Sequence, residues 1–481
     1  MTRGDQPIET SAKAKEPVHL IRGLGGWAAT AIVVGTMIGT GIFLVPAYMA
    51  RDTGSATLVM LAWVAAGTLT LFGALSVAEL GAAMPEAGGT YAYLDRGFGP
   101  LWGFLFGWIY CLMGAPTSIA TLAAGFMKFA GYLFPAAVRP LFLWHLPLPF
   151  AAQPYTFTFT WAQPGAVAVI ALVTFINCLG VRLGGRVQVA LTIVKILAIV
   201  AVIAAGFLWG SGSVANFRSG AAAGAASGGV SGFLTAMVAA LWACDGWINL
   251  TFVGSEIKNP ERNIPLSLVG GVLLVCGLYI AMSAACFFVL PFSRIVGSEV
   301  VASDLVARAS GHSLASWLTI GMLICGLGAL NSSILTNARV DYALARDGLF
   351  FGIIRGVNQR FCTPVRALVF QGVLASLLAL SGTYESLFSL YVFTVFIFYG
   401  LQTYAVIRLR RTEPALARPY RVPGYPGVPI LFIAGAIALT LSQLIRSPLE
   451  SVMGLVVMLT GLFFYRSWRP QAGAGHLPGA N

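Results

Sequence analysis

Charge is what this 481-residue sequence has least of: Asp, Glu, Lys and Arg together make up 10% of it, against about 25% in an ordinary soluble domain. With 58% of its residues apolar, a water-solvated globular fold is excluded. Histidine is scarcer still. His19, His145, His312 and His476 are the four, all in tails or loops between apolar stretches, which argues against a buried histidine-based catalytic centre. The seven cysteines (Cys111, Cys178, Cys244, Cys276, Cys286, Cys325 and Cys362) lie in or beside apolar stretches with neither paired metal spacing nor a cluster in one loop, so neither a disulfide nor a metal site is expected. The first 26 residues contain no short apolar core followed by a small-residue cleavage site, so no cleavable signal peptide is expected. Long stretches such as Leu266 to Leu290 also lack the polar alternation of a barrel strand.

What is present is a series of apolar stretches near twenty residues long, the length needed to cross a bilayer as helix. Twelve are read, near 27–50, 56–82, 100–127, 164–180, 188–210, 232–256, 264–290, 314–338, 365–382, 386–407, 429–446 and 450–467. In lipid every backbone polar group needs an internal partner, so these stretches are predicted helices and the fold an all-α polytopic membrane protein. Lysine and arginine collect in cytoplasmic loops. With both termini cytoplasmic, 21 of the 29 Lys and Arg fall on that side, 7 on the outer side, and Lys195 inside a span. The loop bias accounts for the net charge of +12, and no nucleic-acid partner is needed. The predicted location is the cell (inner) membrane.

Two spans carry residues that disfavour a helix in mid-membrane. Span 1 reads Gly35-Thr36-Met37-Ile38-Gly39-Thr40-Gly41, and each glycine costs up to about 1 kcal/mol relative to alanine in a helix interior. Span 6 contains Trp242-Ala243-Cys244-Asp245-Gly246-Trp247, a glycine beside a carboxylate. Non-helical backbone at that depth is tolerated where it lines a cavity or is buried in protein. If spans 1–5 and 6–10 correspond, the breaks occupy equivalent positions in two halves, which points to the substrate site of an inverted-repeat transporter. Freed amides at the start of a half-helix attract an anion and freed carbonyls at the end of its partner suit an ammonium. A zwitterionic amino acid presents both. The competing reading of the glycines is close helix packing of the Gly-x-x-x-Gly kind.

Four stretches resemble the amino acid-polyamine-organocation superfamily and, within it, the L-type amino acid transporters. They are Gly35 to Phe43; Glu86-Ala87-Gly88-Gly89-Thr90-Tyr91 continuing to Phe98-Gly99-Pro100; Lys195; and Gly254 to Pro265. The resemblance implies a LeuT-like fold of five plus five inverted helices with spans 1 and 6 discontinuous. Residues 27–210 would form the first repeat and 232–407 the second, with 429–467 as helices 11 and 12 and with tails at 1–26 and 468–481. It implies that the amides of Gly39, Thr40 and Gly41 bind the substrate carboxylate, and that the carbonyls of Met37, Trp242 and Asp245 receive the ammonium beside Gly246. Trp242, where phenylalanine is usual in the family, would be the outer gate. Lys195 would direct its ammonium to the break in span 1 and to Asn331, Ser332 and Ser333 of span 8, taking the place of sodium in related carriers. Snorkelling of Lys195 towards the cytoplasm is the alternative.

Asp245 stands where several members have glycine or serine, and three roles remain open for it: pairing with a basic substrate side chain, carrying a proton, or capping the unwound turn. Glu79 and Glu256, near cytoplasmic span ends, are expected to pair with loop arginines. The outer loop near 131–163 has no cysteine, so no disulfide-linked heavy subunit is expected. The implied function is sodium-independent amino acid transport, as an exchanger of neutral and cationic substrates, with proton-coupled amino acid or polyamine symport as the alternative. A membrane enzyme would need a nucleophile, base or metal constellation, and a channel a filter repeated by symmetry; neither pattern is present. No cofactor is implied.

Overall fold

A computed structural model describes residues 22–86, 88–146, 155–179, 181–218, 229–358, 363–381 and 384–468. Residues 1–21 and 469–481 of the two tails, and Cys362, lie outside them. Helices dominate. The first half comprises α1 (Gly26–Met37), α2 (Gly41–Thr53), α3 (Ala56–Ala83), α4 (Thr90–Phe98), α5 (Pro100–Ile109), α6 (Ala115–Leu133), α7 (Ala162–Cys178) and α8 (Val181–Ala204). The second comprises α9 (Gly229–Ala243), α10 (Asn249–Phe252), α11 (Pro260–Val289), α12 (Phe292–Gly297), α13 (Val301–Ser310), α14 (His312–Arg346), α15 (Val365–Ser381) and α16 (Tyr384–Thr412), followed by α17 (Gly427–Arg446) and α18 (Pro448–Trp468).

Among the described residues nine helices, some assembled from consecutive segments, are long and apolar enough to cross a bilayer, and three apolar helices are shorter: α7, α9 and α15. The chain is thus a multi-pass membrane protein. The short length of α9 has a local cause, since the span that contains it breaks at Cys244. Two features depart from the expectation. Residues 131–163 do not form a plain loop: β1 (Pro140–Leu146) pairs antiparallel with β2 (Tyr155–Thr160), Phe142 stacking on Phe159 at 4.8 Å, so the fold is not purely α. The Tyr-Thr-Phe-Thr-Phe-Thr alternation of β2 matches the two-residue period of a strand. The helix of span 8 also runs eight residues beyond 338, through Arg346, with Arg339 and Asp341 buried in protein.

Helix α3 packs along α11, α2 against α9 and α6 against α14. Large apolar side chains on the outer faces of α7, α8, α15, α17 and α18 are exposed, among them Phe175, Leu197, Leu377, Ile437 and Phe463, forming the surface that meets lipid. Ion pairs gather at the end of the bundle where α14 and α16 terminate. Buried Glu79 accepts from Arg410 at 2.8 and 2.5 Å and from the Val422 amide at 2.8 Å, with Arg418 at 3.5 Å. Glu256 pairs with Arg339 at 3.3 Å. Both acids therefore pair with arginine, although Arg410 and Arg339 belong to helices α16 and α14 and only Arg418 lies in a loop. On this side burial and the nearby Asp347 carboxylate push the Tyr91 hydroxyl well above its ordinary pKa.

Candidate substrate site at two broken helices

Helix α1 stops at Met37. Ile38 is extended (φ −73°, ψ 94°), and α2 starts at Gly41 after Thr40. The amides of Gly39, Thr40 and Gly41 thus precede or open a helix, where N–H groups have no intrahelical acceptor. Helix α9 stops at Ala243, and Cys244 to Ile248 separate it from α10. Gly246 sits at φ +98°, a conformation that side chains rarely adopt, and a Cβ there would lie 3.0 Å from the Thr36 carbonyl carbon. The Thr36 hydroxyl donates to the Gly246 carbonyl at 2.8 Å. A Cβ on Gly41 would lie 3.0 Å from Ala243 Cα. The two breaks therefore touch through backbone, with glycine at each point of closest approach.

Between them lies a cavity of about 30 Å³. Met37, Gly39, Gly41, Trp242, Asp245, Gly246 and Ser333 line it, together with Tyr110, Ser118, Asn249 and Tyr391. Thr40 does not: its side chain packs against Gly125 of α6, leaving only its amide to face the break. The Met37 carbonyl is engaged by the Tyr279 hydroxyl of α11 at 2.7 Å.

Lys195, fully buried on α8, donates to the Gly35 carbonyl at 2.7 Å. Over α14 its stem packs on Gly328, where a Cβ would come within 2.7 Å of Cε. The side chains expected to receive it are occupied otherwise: Asn331 accepts from Asn177 at 2.8 Å and Ser332 donates to the Gly328 carbonyl at 3.1 Å, while Ser333 faces Ser118 at 3.4 Å. Lys195 thus reaches the last turn of α1, just before the break, and its contact with α14 is packing rather than a hydrogen bond.

Several groups that shape the site were not anticipated. The Asp245 carboxylate accepts hydrogen bonds from the hydroxyls of Tyr391 and Tyr399, the latter at 3.1 Å. Tyr384 accepts from the Trp242 indole N–H at 3.1 Å. These tyrosines lie seven and eight residues apart on α16, a helical spacing that puts them on one face. Trp242, edge-on to Tyr391 at 5.1 Å, is thus clamped at one end of the cavity. At the other end Tyr110 donates to Asn337 at 3.0 Å, and Asn249 donates to Thr336 at 3.1 Å and to Asn337 at 3.4 Å. At about 30 Å³ the cavity holds little more than water.

The profile of the amino acid permease family matches residues 24–463. The chain belongs to that family. This permease is 32% identical over 440 residues to a serine/threonine exchanger of Bacillus subtilis, covering 91% of this chain and 94% of the relative. It is 32% identical over 468 residues to a b(0,+)-type amino acid transporter of Rattus norvegicus, with coverage of 95% and 90%. It is 29% identical over 463 residues to the human cystine/glutamate transporter, with coverage of 96% and 87%. These names are those of transporters, and the permease is a transporter rather than an enzyme.

Proposed function

We propose that this permease carries amino acids by sodium-independent exchange, by alternating access, through twelve spans arranged as two inverted five-helix repeats, with both termini in the cytoplasm. The observation that carries the reading is the contact between two helix breaks beside one small cavity. A substrate carboxylate would sit on the amides of Gly39, Thr40 and Gly41, where the dipole of α2 favours an anion. Its ammonium would lie towards the carbonyls of Trp242 and Asp245 at the end of α9, with that of Met37 shared with Tyr279. Trp242 and Tyr384 form the outer gate. Lys195 holds the Gly35 carbonyl where a sodium ion would otherwise be needed to order the break.

Asp245 supports a substrate range that includes basic side chains. Its carboxylate lines the cavity, and its two tyrosine donors orient it without neutralising it. The cavity must expand by repacking Trp242 to accept cargo, as about 30 Å³ has no room for an amino acid side chain. The test is thermal stabilisation of the purified protein by each of the twenty amino acids and by several polyamines, since a ligand of the native state stabilises it by about 2.7 kcal/mol at a hundredfold excess over its Kd. Amino acids with small neutral or basic side chains should raise Tm in sodium-free buffer. A response to polyamines with none to amino acids would overturn the carboxylate assignment.

A further inference from the structure

One buried acid takes no part in the site just described. Asp341 of α14 is fully enclosed. It faces the thiol of Cys111, a weak donor, yet among the described residues neither carboxyl oxygen has a well-formed hydrogen bond. Arg339, two residues away, turns instead to Glu256 and to the Leu335 carbonyl. A carboxylate enclosed without donors or a cation is costly, and an ionisable group at such depth is a functional candidate.

Its position gives it a task. Ser333, Asn337 and Asp341 follow one another at four-residue intervals, one face of α14. Each meets the helix opposite: Ser333 meets Ser118, Asn337 meets Tyr110 and Asp341 meets Cys111. Ser333 borders the central cavity and Asn337 bonds Tyr110 and Asn249 of its wall, so Asp341 lies one turn beyond that contact, towards the arginine-rich end. Opposite it the helix departs from α geometry, with a π turn over Tyr110–Gly114; such turns are frequent at functional sites. A cation leaving the cavity meets a field of arginines at that end, and Asp341 supplies the one negative stop along this stripe.

We propose that Asp341 is a release-side subsite that binds the cationic group of the cargo, an ammonium or a basic side chain, once the Tyr110–Asn337 contact opens. This rests on the amino acid transport reading. The experiment compares wild type, Asp341→Asn and Asp341→Glu in right-side-out and inside-out vesicles, with arginine and alanine exchange read from each face. Asp341→Asn should raise the half-saturating arginine concentration at the release face by at least about tenfold, the cost of one charge-assisted hydrogen bond. At the outer face it should change less than about twofold, and Asp341→Glu should retain most of the release-face affinity. Equal changes at both faces, or none, would overturn the subsite. So would loss of pH-dependent uptake in Asp341→Asn with arginine affinity intact, which would make the group a proton carrier. Should Asp341→Asn not fold, the wild type decides. A cationic thiol reagent applied from the release face should inactivate it, but not Cys111→Ser, and saturating arginine should protect; labelling without protection overturns the proposal. A wild type that exchanges neither substrate sinks the transport reading and the subsite together, whereas normal exchange unaffected by Asp341→Asn sinks only the subsite.

Discussion

Replacing Asp245 with asparagine keeps the shape of the side chain and removes its charge. The carboxylate is buried and accepts from two tyrosines of α16. An amide retains one acceptor oxygen and turns an N–H₂ donor towards a hydroxyl, so the fold should lose about 1–3 kcal/mol, the cost of one badly paired buried group. A basic substrate loses more. Its guanidinium or ammonium forfeits a charge-assisted hydrogen bond of about 1.5–3 kcal/mol, roughly 10- to 150-fold in affinity. A neutral substrate makes no such bond with its side chain and should weaken by less than about threefold. The assay is competition of labelled alanine uptake by unlabelled arginine in sodium-free proteoliposomes. Wild type should show arginine competition and Asp245→Asn should lose it while still taking up alanine. Arginine competition that survives the replacement, or parallel loss of both substrates in folded protein, would refute the assignment.

Other perturbations probe the frame around that group. Lys195→Ala leaves the Gly35 carbonyl without its donor, at a cost of about 1–3 kcal/mol; uptake should fall strongly in protein that still folds, and unchanged uptake would leave Lys195 a packing residue. Gly246→Ala forces a side chain into φ +98° and against the Thr36 backbone, which should destabilise by roughly 1–3 kcal/mol, read as a lower Tm and lost transport; a wild-type Tm would mean that the breaks do not meet so closely. Tyr384→Phe removes the acceptor of the Trp242 indole, worth about 0.5–1.5 kcal/mol, and should speed dissociation of bound substrate to the outside several-fold; an unchanged off-rate would place the gate elsewhere.

The membrane class and both helix breaks were legible in the sequence because their signals are local: long apolar stretches, and glycine clusters inside them. The partners of the break were not, because they come from distant helices. Tyr279 reaches Met37, and Tyr391 and Tyr399 reach Asp245; in an aromatic-rich membrane helix a tyrosine reads first as packing. The seven- and eight-residue spacing of Tyr384, Tyr391 and Tyr399 is the signal that was available. Asp341 escaped for a different reason. Hydropathy ends span 8 where Asn337, Arg339 and Asp341 interrupt it, although all three are buried against protein and the helix continues. The β1–β2 hairpin shows in the sequence only as the six-residue alternation Tyr155–Thr160, short beside the apolar spans.

The account stands on one transport property. Proteoliposomes holding only the purified permease and loaded with unlabelled amino acid should accumulate external labelled alanine in the absence of sodium, saturably, and only while an internal amino acid is present. Uptake that proceeds equally well into empty vesicles, or that requires sodium, would contradict it.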